Sequence, residues 1–164
     1  MDTLKNRASA VLAQLGTCLA VLVALNALLS PFVFPWKGGS ASASLYSAQV
    51  LHKVRDHYGE PTDVALVNLS VAANLSSLWN WNTNKIFFYV TAEFHATGTK
   101  RPDELNRVVV WDYIVQNKSQ SVFDFRNVRA KYALTDTTDS LFKTPVTLVP
   151  EWSIMPVTGF IVKQ

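Results

Sequence analysis

Three histidines, a single cysteine and a scatter of serines and carboxylates are what this 164-residue chain could use for chemistry. His52, His57 and His95 lie in separate segments, with no His-x-x-x-His spacing and no cysteine partner to complete a metal site. No serine sits in a G-x-S-x-G elbow or an S-x-x-K pair. Lys85 and Lys143 are the residue type a Ser–Lys dyad needs, yet no pattern joins either to a serine. Glu93 and His95 are two apart on one strand face, a geometry compatible with acid–base work but common by chance. Gly38-Gly39 precedes no strand-to-helix unit and so is not a phosphate loop. No catalytic residue, metal or cofactor is assigned.

Covalent modification is the other chemistry on offer. Three sequons are present, at Asn68-Leu69-Ser70, Asn74-Leu75-Ser76 and Asn117-Lys118-Ser119. Asn117 follows a strand and lies in a polar loop, which makes it the best glycan acceptor on exposure. Asn68 is mid-strand and needs an uncovered face.

These residues must be positioned by two very different parts of the chain. From Ala8 to Trp36 no residue is charged, and Arg7 and Lys37 flank the run. A signal peptide's apolar stretch is about 7–15 residues, whereas a spanning helix needs roughly 20. Residues 11–34 therefore read as a transmembrane signal-anchor helix, preceded by a cytosolic tail over 1–10. Gln14 and Asn26 are its strongly polar members, tolerable where an amide bonds to a neighbouring helix. Pro31, Phe32, Phe34, Pro35 and Trp36 read as the membrane exit, with aromatic rings at headgroup level. Residues 35–44, rich in Gly, Ser and Ala, read as a flexible tether. Within it Ala41-Ser42-Ala43 has the small-x-small form of a cleavage site, so a cut after Ala43 is the competing reading. Lys5, Arg7 and the amino terminus outweigh Lys37, which orients the chain as type II with residues 38–164 lumenal.

Residues 45–164 are enough for one domain with one core. The net charge of +3 and pI near 9.1 are mild, and no run of five basic residues exists, so no nucleic-acid partner is expected. Cys18 lies in the apolar run, leaving the domain without a disulfide. The domain alternates with a period of two. In residues 63–75 the odd positions from Ala65 to Leu75 are apolar, and in 85–96 the even positions from Ile86 to Ala96 are. Residues 107–115 are almost continuously apolar, as in a strand buried on both faces. Residues 45–54, 121–132 and 145–154 give further strands, the last carrying Pro150, which suggests an edge or bulge. Turn-forming residues fall at 58–63, 80–84, 97–106 and 136–140, with a further turn at 76–79. The fold class is all-β, an antiparallel β-sandwich preceded by one N-terminal transmembrane helix.

The stretches WNWNTNKIFFYVTAEF (79–94), LNRVVVWDYIV (105–115) and MPVTG (155–159), with NRASAVL near the start, carry a resemblance. In this order they resemble signal peptidase complex subunit 3. Two departures stand out: Pro145-Val146-Thr147 replaces a sequon common in that family, and less chain follows MPVTG than in many members. The resemblance implies a non-catalytic subunit of the endoplasmic reticulum signal peptidase complex. Its lumenal sandwich would pack on a separate serine-protease subunit and meet the other subunits of the complex.

Such a subunit needs an interface, and interfaces favour aromatic residues. Trp79 and Trp81 flank a turn and are the candidate partner contacts, while Trp111 and Trp152 are assigned to the core. The alternative is a secreted or surface β-sandwich module, cut after Ala43 and binding through the loops at 80–84 and 97–106.

Overall fold

The computed structural model describes residues 3–33, 36–55, 61–95, 105–136 and 145–164. His57, Lys143, Phe34, Pro35, residues 137–140 of the turn at 136–140, 58–60 of that at 58–63 and 97–104 of that at 97–106 lie outside the described residues, as do the side chains of His52 and Lys53.

Helix α1 (Leu4–Val33) is long and apolar enough to cross a membrane, and its central window buries nothing against the rest of the chain. Eight strands follow among the described residues: β1 (Ser40–Arg55), β2 (Pro61–Asn74), β3 (Thr83–His95), β4 (Leu105–Val115), β5 (Val122–Arg129), β6 (Leu134–Asp136), β7 (Thr147–Pro156) and β8 (Val162–Lys163). They form two antiparallel sheets, one ordered β1-β2-β5 with β6 also on β2, the other β4-β3-β7-β8. The all-β sandwich behind one apolar helix is the architecture the alternation implied. A 3-10 turn at Ser76–Leu78 occupies the expected turn position.

The core is the pair of inward faces. Ala65, Val67, Leu69, Val71 and Ala73 from β2 meet Ile86, Phe88, Val90, Ala92 and Phe94 from β3, all buried. An aromatic cluster staples one end. Phe88 of β3 meets Phe123 of β5 with centroids 5.3 Å apart, and Trp111 of β4 meets Phe125 at 5.8 Å, both edge-on. Each such pair is worth about 0.5–1.5 kcal/mol beyond its buried area.

Bulges on β1, β4 and β5 control which residues of those strands face inward. Val110 is an extra residue on β4 between the pairs Thr91–Val109 and Val90–Trp111. Val108 and Val110 pack inward before it, and Trp111, Tyr113 and Val115 after it. So β4 is not buried on both faces as its composition suggested. It is an edge strand with a change of parity, and Val109 and Ile114 are exposed. Tyr46 does the same on β1, between Leu45–Leu69 and Ser47–Asn68. On β5 the pairs Val71–Phe125 and Leu69–Val128 leave two residues opposite one, and Asn127 there takes φ +53°. Asn is among the few residues that tolerate this left-handed conformation. Pro150 pairs with Val90 on one side, where β8 reaches only as far as Ser153 on the other, so its missing N–H breaks no described ladder there.

The expected tether is largely structured. Trp36 is buried in the core, and β1 starts at Ser40, pairing Ser40–Ala43 with Asn74–Val71. Only Lys37, Gly38 and Gly39 lie between, and both glycines adopt φ +89°. A Cβ on Gly39 would stand 3.3 Å from Leu78 and Trp152, so the chain approaches the core closely here. Small residues at 38–44 thus serve packing and pairing rather than freedom. Trp36, expected at headgroup level, instead fills the domain.

Truncating Trp111 should cost about 3–5 kcal/mol, as for other buried aromatic residues. Chemical denaturation of the full chain in detergent should show this for Trp111→Ala. Ile114→Ala, on the exposed face of the same strand, should shift the midpoint little.

Candidate interaction site at the helix–domain joint

The polar residues that matter most are uncharged and lie where α1 meets the sandwich. Asn82, in the turn before β3, is 1% exposed, and Ser30 in the last turn of α1 is equally buried. The Asn82 amide nitrogen donates to Ser30 Oγ and to the Thr158 carbonyl, each at 2.9 Å. Its Oδ1 accepts from the Thr158 amide at 3.0 Å and faces the Thr158 hydroxyl at 3.2 Å. Its main-chain carbonyl accepts from the Val157 amide at 2.7 Å. Asn82 therefore ties helix, turn and the loop after β7 together with every polar atom of its side chain used.

Around it the contacts continue. Asn26 Nδ2 donates to Thr158 Oγ1 at 2.7 Å, and Gly159 packs on Ala27, where a Cβ would meet the helix at 3.5–3.6 Å. Asn26 and Ser30 are four apart and so share one helix face. Trp36 Nε1 donates to Thr83 Oγ1 at 3.0 Å, and Thr83 Oγ1 reaches the Leu78 carbonyl at 2.9 Å. The Gln164 side chain completes the joint, donating to the Trp36 carbonyl and accepting from Trp152 Nε1. Sequence reasoning missed this role for Ser30, Trp36, Asn82, Thr158 and Gln164. Its one available signal was the pair Asn26 and Ser30 on an otherwise apolar helix.

Of the aromatic candidates, Trp81 is 59% exposed beside Asn82. Trp79 is packed against the core, with its indole N–H buried and unpartnered among the described residues. Trp111 is buried and Trp152 half-buried on the core, as assigned.

The sequons differ in geometry. Asn117 is exposed, caps a 3-10 turn, and accepts from its own sequon hydroxyl, Ser119 Oγ, at 2.6 Å. Asn74 at the end of β2 is likewise exposed and accepts from Ser76 Oγ at 2.7 Å. Asn68 lies in mid-β2 and donates to Asn127 Oδ1 at 3.0 Å, so its amide nitrogen is engaged within the sheet.

Among the described residues, Glu93, His95 and Lys85 do not come together as a reacting group. Arg107 Nε binds Glu93 at 2.7 Å, and Arg107 Nη2 binds Glu151 at 2.7 Å. Thr91 Oγ1 adds a bond to Glu151 at 3.0 Å. The hydrogen bond that Arg107 donates to Glu151, ahead of the carboxylate's charge, holds the guanidinium above its usual range. Glu93 is thus paired across the sheet with Arg107, while His95 is exposed at the strand end. Among the described residues, no three His, Cys, Asp or Glu side chains gather as a metal group would.

A second surface is apolar. Between β1 and β7 a groove of about 480 Å³ is lined by Leu45, Ala48, Val50, Val110, Val146 and Leu148, among others. β1 is the outer strand of its sheet, and Leu45, Tyr46, Leu51 and Val54 on it are exposed.

Fold and joint define a class: a β-sandwich docked directly on an apolar helix long enough to cross a membrane. The whole chain, residues 1–164, matches the family described as "Signal peptidase subunit". It is 30% identical over 165 residues to Signal peptidase complex subunit 3 of Drosophila melanogaster, covering 98% of this chain and 88% of the relative. The protein of that name in Debaryomyces hansenii is 30% identical, over 76% of this chain and 66% of the relative. In Yarrowia lipolytica it is 28% identical, over 97% and 89%. The chain belongs to the signal peptidase subunit family, as an accessory subunit of the endoplasmic reticulum membrane, and the secreted-module alternative is not favoured.

Asn82→Ala should leave the Thr158 amide and Ser30 hydroxyl buried without their partner, at about 1–3 kcal/mol for each group orphaned. Thermal unfolding in detergent should fall accordingly, and limited proteolysis should open the 157–161 loop. Asn84→Ala, exposed two residues away, should do neither.

Proposed function

We propose that this chain is a type II subunit that holds a lumenal β-sandwich against the catalytic serine-protease subunit of the signal peptidase complex. In that place it assists the removal of signal peptides without performing the cut. The observation that carries the reading is the family match along all of residues 1–164, from the helix to the last strand. Residues 1–10 are the cytosolic tail and 11–34 the signal anchor, and the lumenal domain takes in β1 from Ser40 onward. Lys5 and Arg7 against Lys37 set that orientation. The anchor is retained, because a cut after Ala43 would remove Trp36 from the core and four rungs from the β1–β2 ladder.

The partner contacts are surfaces. Trp81, exposed at the joint, meets a neighbouring subunit, while Trp79 supports it from the core side. The protease subunit covers the β1 edge and the β1–β7 groove. A 16-residue outer strand carrying exposed Leu45, Tyr46, Leu51 and Val54 is a liability that soluble proteins ordinarily blunt with charge or cover.

In sealed microsomes the domain should resist added protease until detergent is present; digestion without detergent overturns the orientation. Depleting the chain should leave secretory precursors uncut. Ser→Ala or His→Ala at any single position after residue 38 should leave processing near normal. A true nucleophile would cost on the order of 10⁴–10⁶ in rate. A variant that folds, joins the complex and still loses cleavage by that factor sinks the non-catalytic reading. Trp81→Ala should reduce co-purification of the protease subunit without lowering the melting temperature.

Glycosylation follows from the same orientation. Asn117→Gln should remove a glycosidase-sensitive mobility shift, and Asn74→Gln is the next to do so. Asn68→Gln should leave the shift intact, since its amide is engaged in the sheet.

A further inference from the structure

We propose that the loop at 157–161 rests in the bilayer itself, at the boundary of headgroups and acyl chains in the leaflet where α1 ends. The sandwich would then sit on lipid through Val157, Phe160 and Ile161 rather than stand clear of it. The proposal rests on α1 as a membrane-crossing helix.

Depth comes first. Counting from Val11, the first residue of the anchor, about 20 helical residues cover a hydrocarbon core of roughly 30 Å, which brings its far boundary to the vicinity of Ser30, one turn from Ala27. Gly159 packs against Ala27. Ala27 is six residues short of the helix end at Val33, so the loop reaches back along the helix by about 9 Å. The domain thus returns to the level at which the helix leaves hydrocarbon.

The side chains suit that level. Val157, Phe160 and Ile161 are 64%, 88% and 59% exposed, and at the end of α1 Phe32 and Val33 are 83% and 58% exposed. In a loop surrounded by water, three such residues in five would be costly, since each buried apolar side chain is worth about 1.5–3 kcal/mol. The polar groups at the start of the loop, on Val157 and Thr158, are turned the other way. The amides of Val157 and Thr158, the Thr158 carbonyl and the Thr158 hydroxyl all bond to Asn82 or Asn26. Internal satisfaction of backbone groups is what an apolar medium demands.

Charge agrees. The chain has no Asp or Glu between Asp63 and Glu93, none after Glu151, and none from Trp36 to Arg55. These segments supply the joint and its surroundings, where Lys37, Lys85 and Lys163 provide cations for lipid phosphates.

The test is spin-label accessibility on the full chain in phosphatidylcholine–phosphatidylserine nanodiscs. Native Cys18, exposed on α1 near its middle, takes the reference label. In a Cys18→Ser background, labels go to Phe160→Cys, to Val157→Cys as a second site in the same loop, and to Leu105→Cys. Leu105 pairs with His95 at the far end of β3, about 40 Å from Thr83 along the strand. The loop labels should favour oxygen over a water-soluble nickel chelate, at a depth shallower than Cys18, and the Leu105 label should favour the chelate. Loop labels as open to nickel as Leu105, with Cys18 deep, overturn the proposal alone. Loop labels closed to both quenchers overturn it in favour of a second copy covering the loop. A Cys18 label open to nickel removes the membrane reading of α1 as well.

Discussion

The placement of every surface on this protein depends on one buried side-chain amide. Asn82 bonds at once to α1 through Ser30 and to the 157–158 segment, from a turn that itself opens β3. Because β3 is the central strand of its sheet, paired with β4 on one side and β7 on the other, fixing its start fixes the sandwich. The bonds of Asn82 are complete, while Asn26 Oδ1, buried at the same joint, has no partner among the described residues. A buried network in which each donor and acceptor is used strengthens in a low-dielectric setting, whereas one missing member leaves its partners without water to replace it. Trp36 adds an apolar clamp on the same joint, with its indole N–H on Thr83 next door to Asn82.

How much of this was legible follows from where alternation holds. β2 and β3 present regular inward faces, and their odd and even apolar positions read directly as core. β1, β4 and β5 each contain a bulge, and each bulge exchanges inward and outward positions. On β4 the exchange falls within Val108, Val109, Val110 and Trp111, so apolar residues occupy both parities and the run imitates a strand buried on two faces. The extra residue has no mark of its own in composition. Only Asn127, an Asn at positive φ, carries a type that a bulge would choose.

The joint was hidden for a different reason. Asn82 and Thr158 lie in turns, where small polar residues are explained locally, and nothing local reveals that positions 76 apart exchange three hydrogen bonds. Trp36 after an apolar run is equally at home in a membrane belt or under a sheet; the short Gly38-Gly39 link decides between them. The stretches that carry the family resemblance, 79–94 and 155–159, turn out to hold both sides of the joint. Two stretches far apart in sequence are in fact one long-range contact.

A subunit that acts by position has reason to be built this way. A flexible link of ten residues has a root-mean-square span of about 17 Å, at 5–6 Å times the square root of length. Contact faces carried on it would wander by a distance comparable to the width of the domain. Effective concentration at a neighbouring subunit falls as that span exceeds the gap to be bridged. Here the link is three residues between Trp36 and Ser40, and both ends are anchored in the core or the ladder. Trp81 and the β1 edge are therefore held at fixed heights and bearings relative to the membrane helix. The ordering entropy is met during folding by Asn82 and Trp36, and it does not have to be met again when the domain engages a partner.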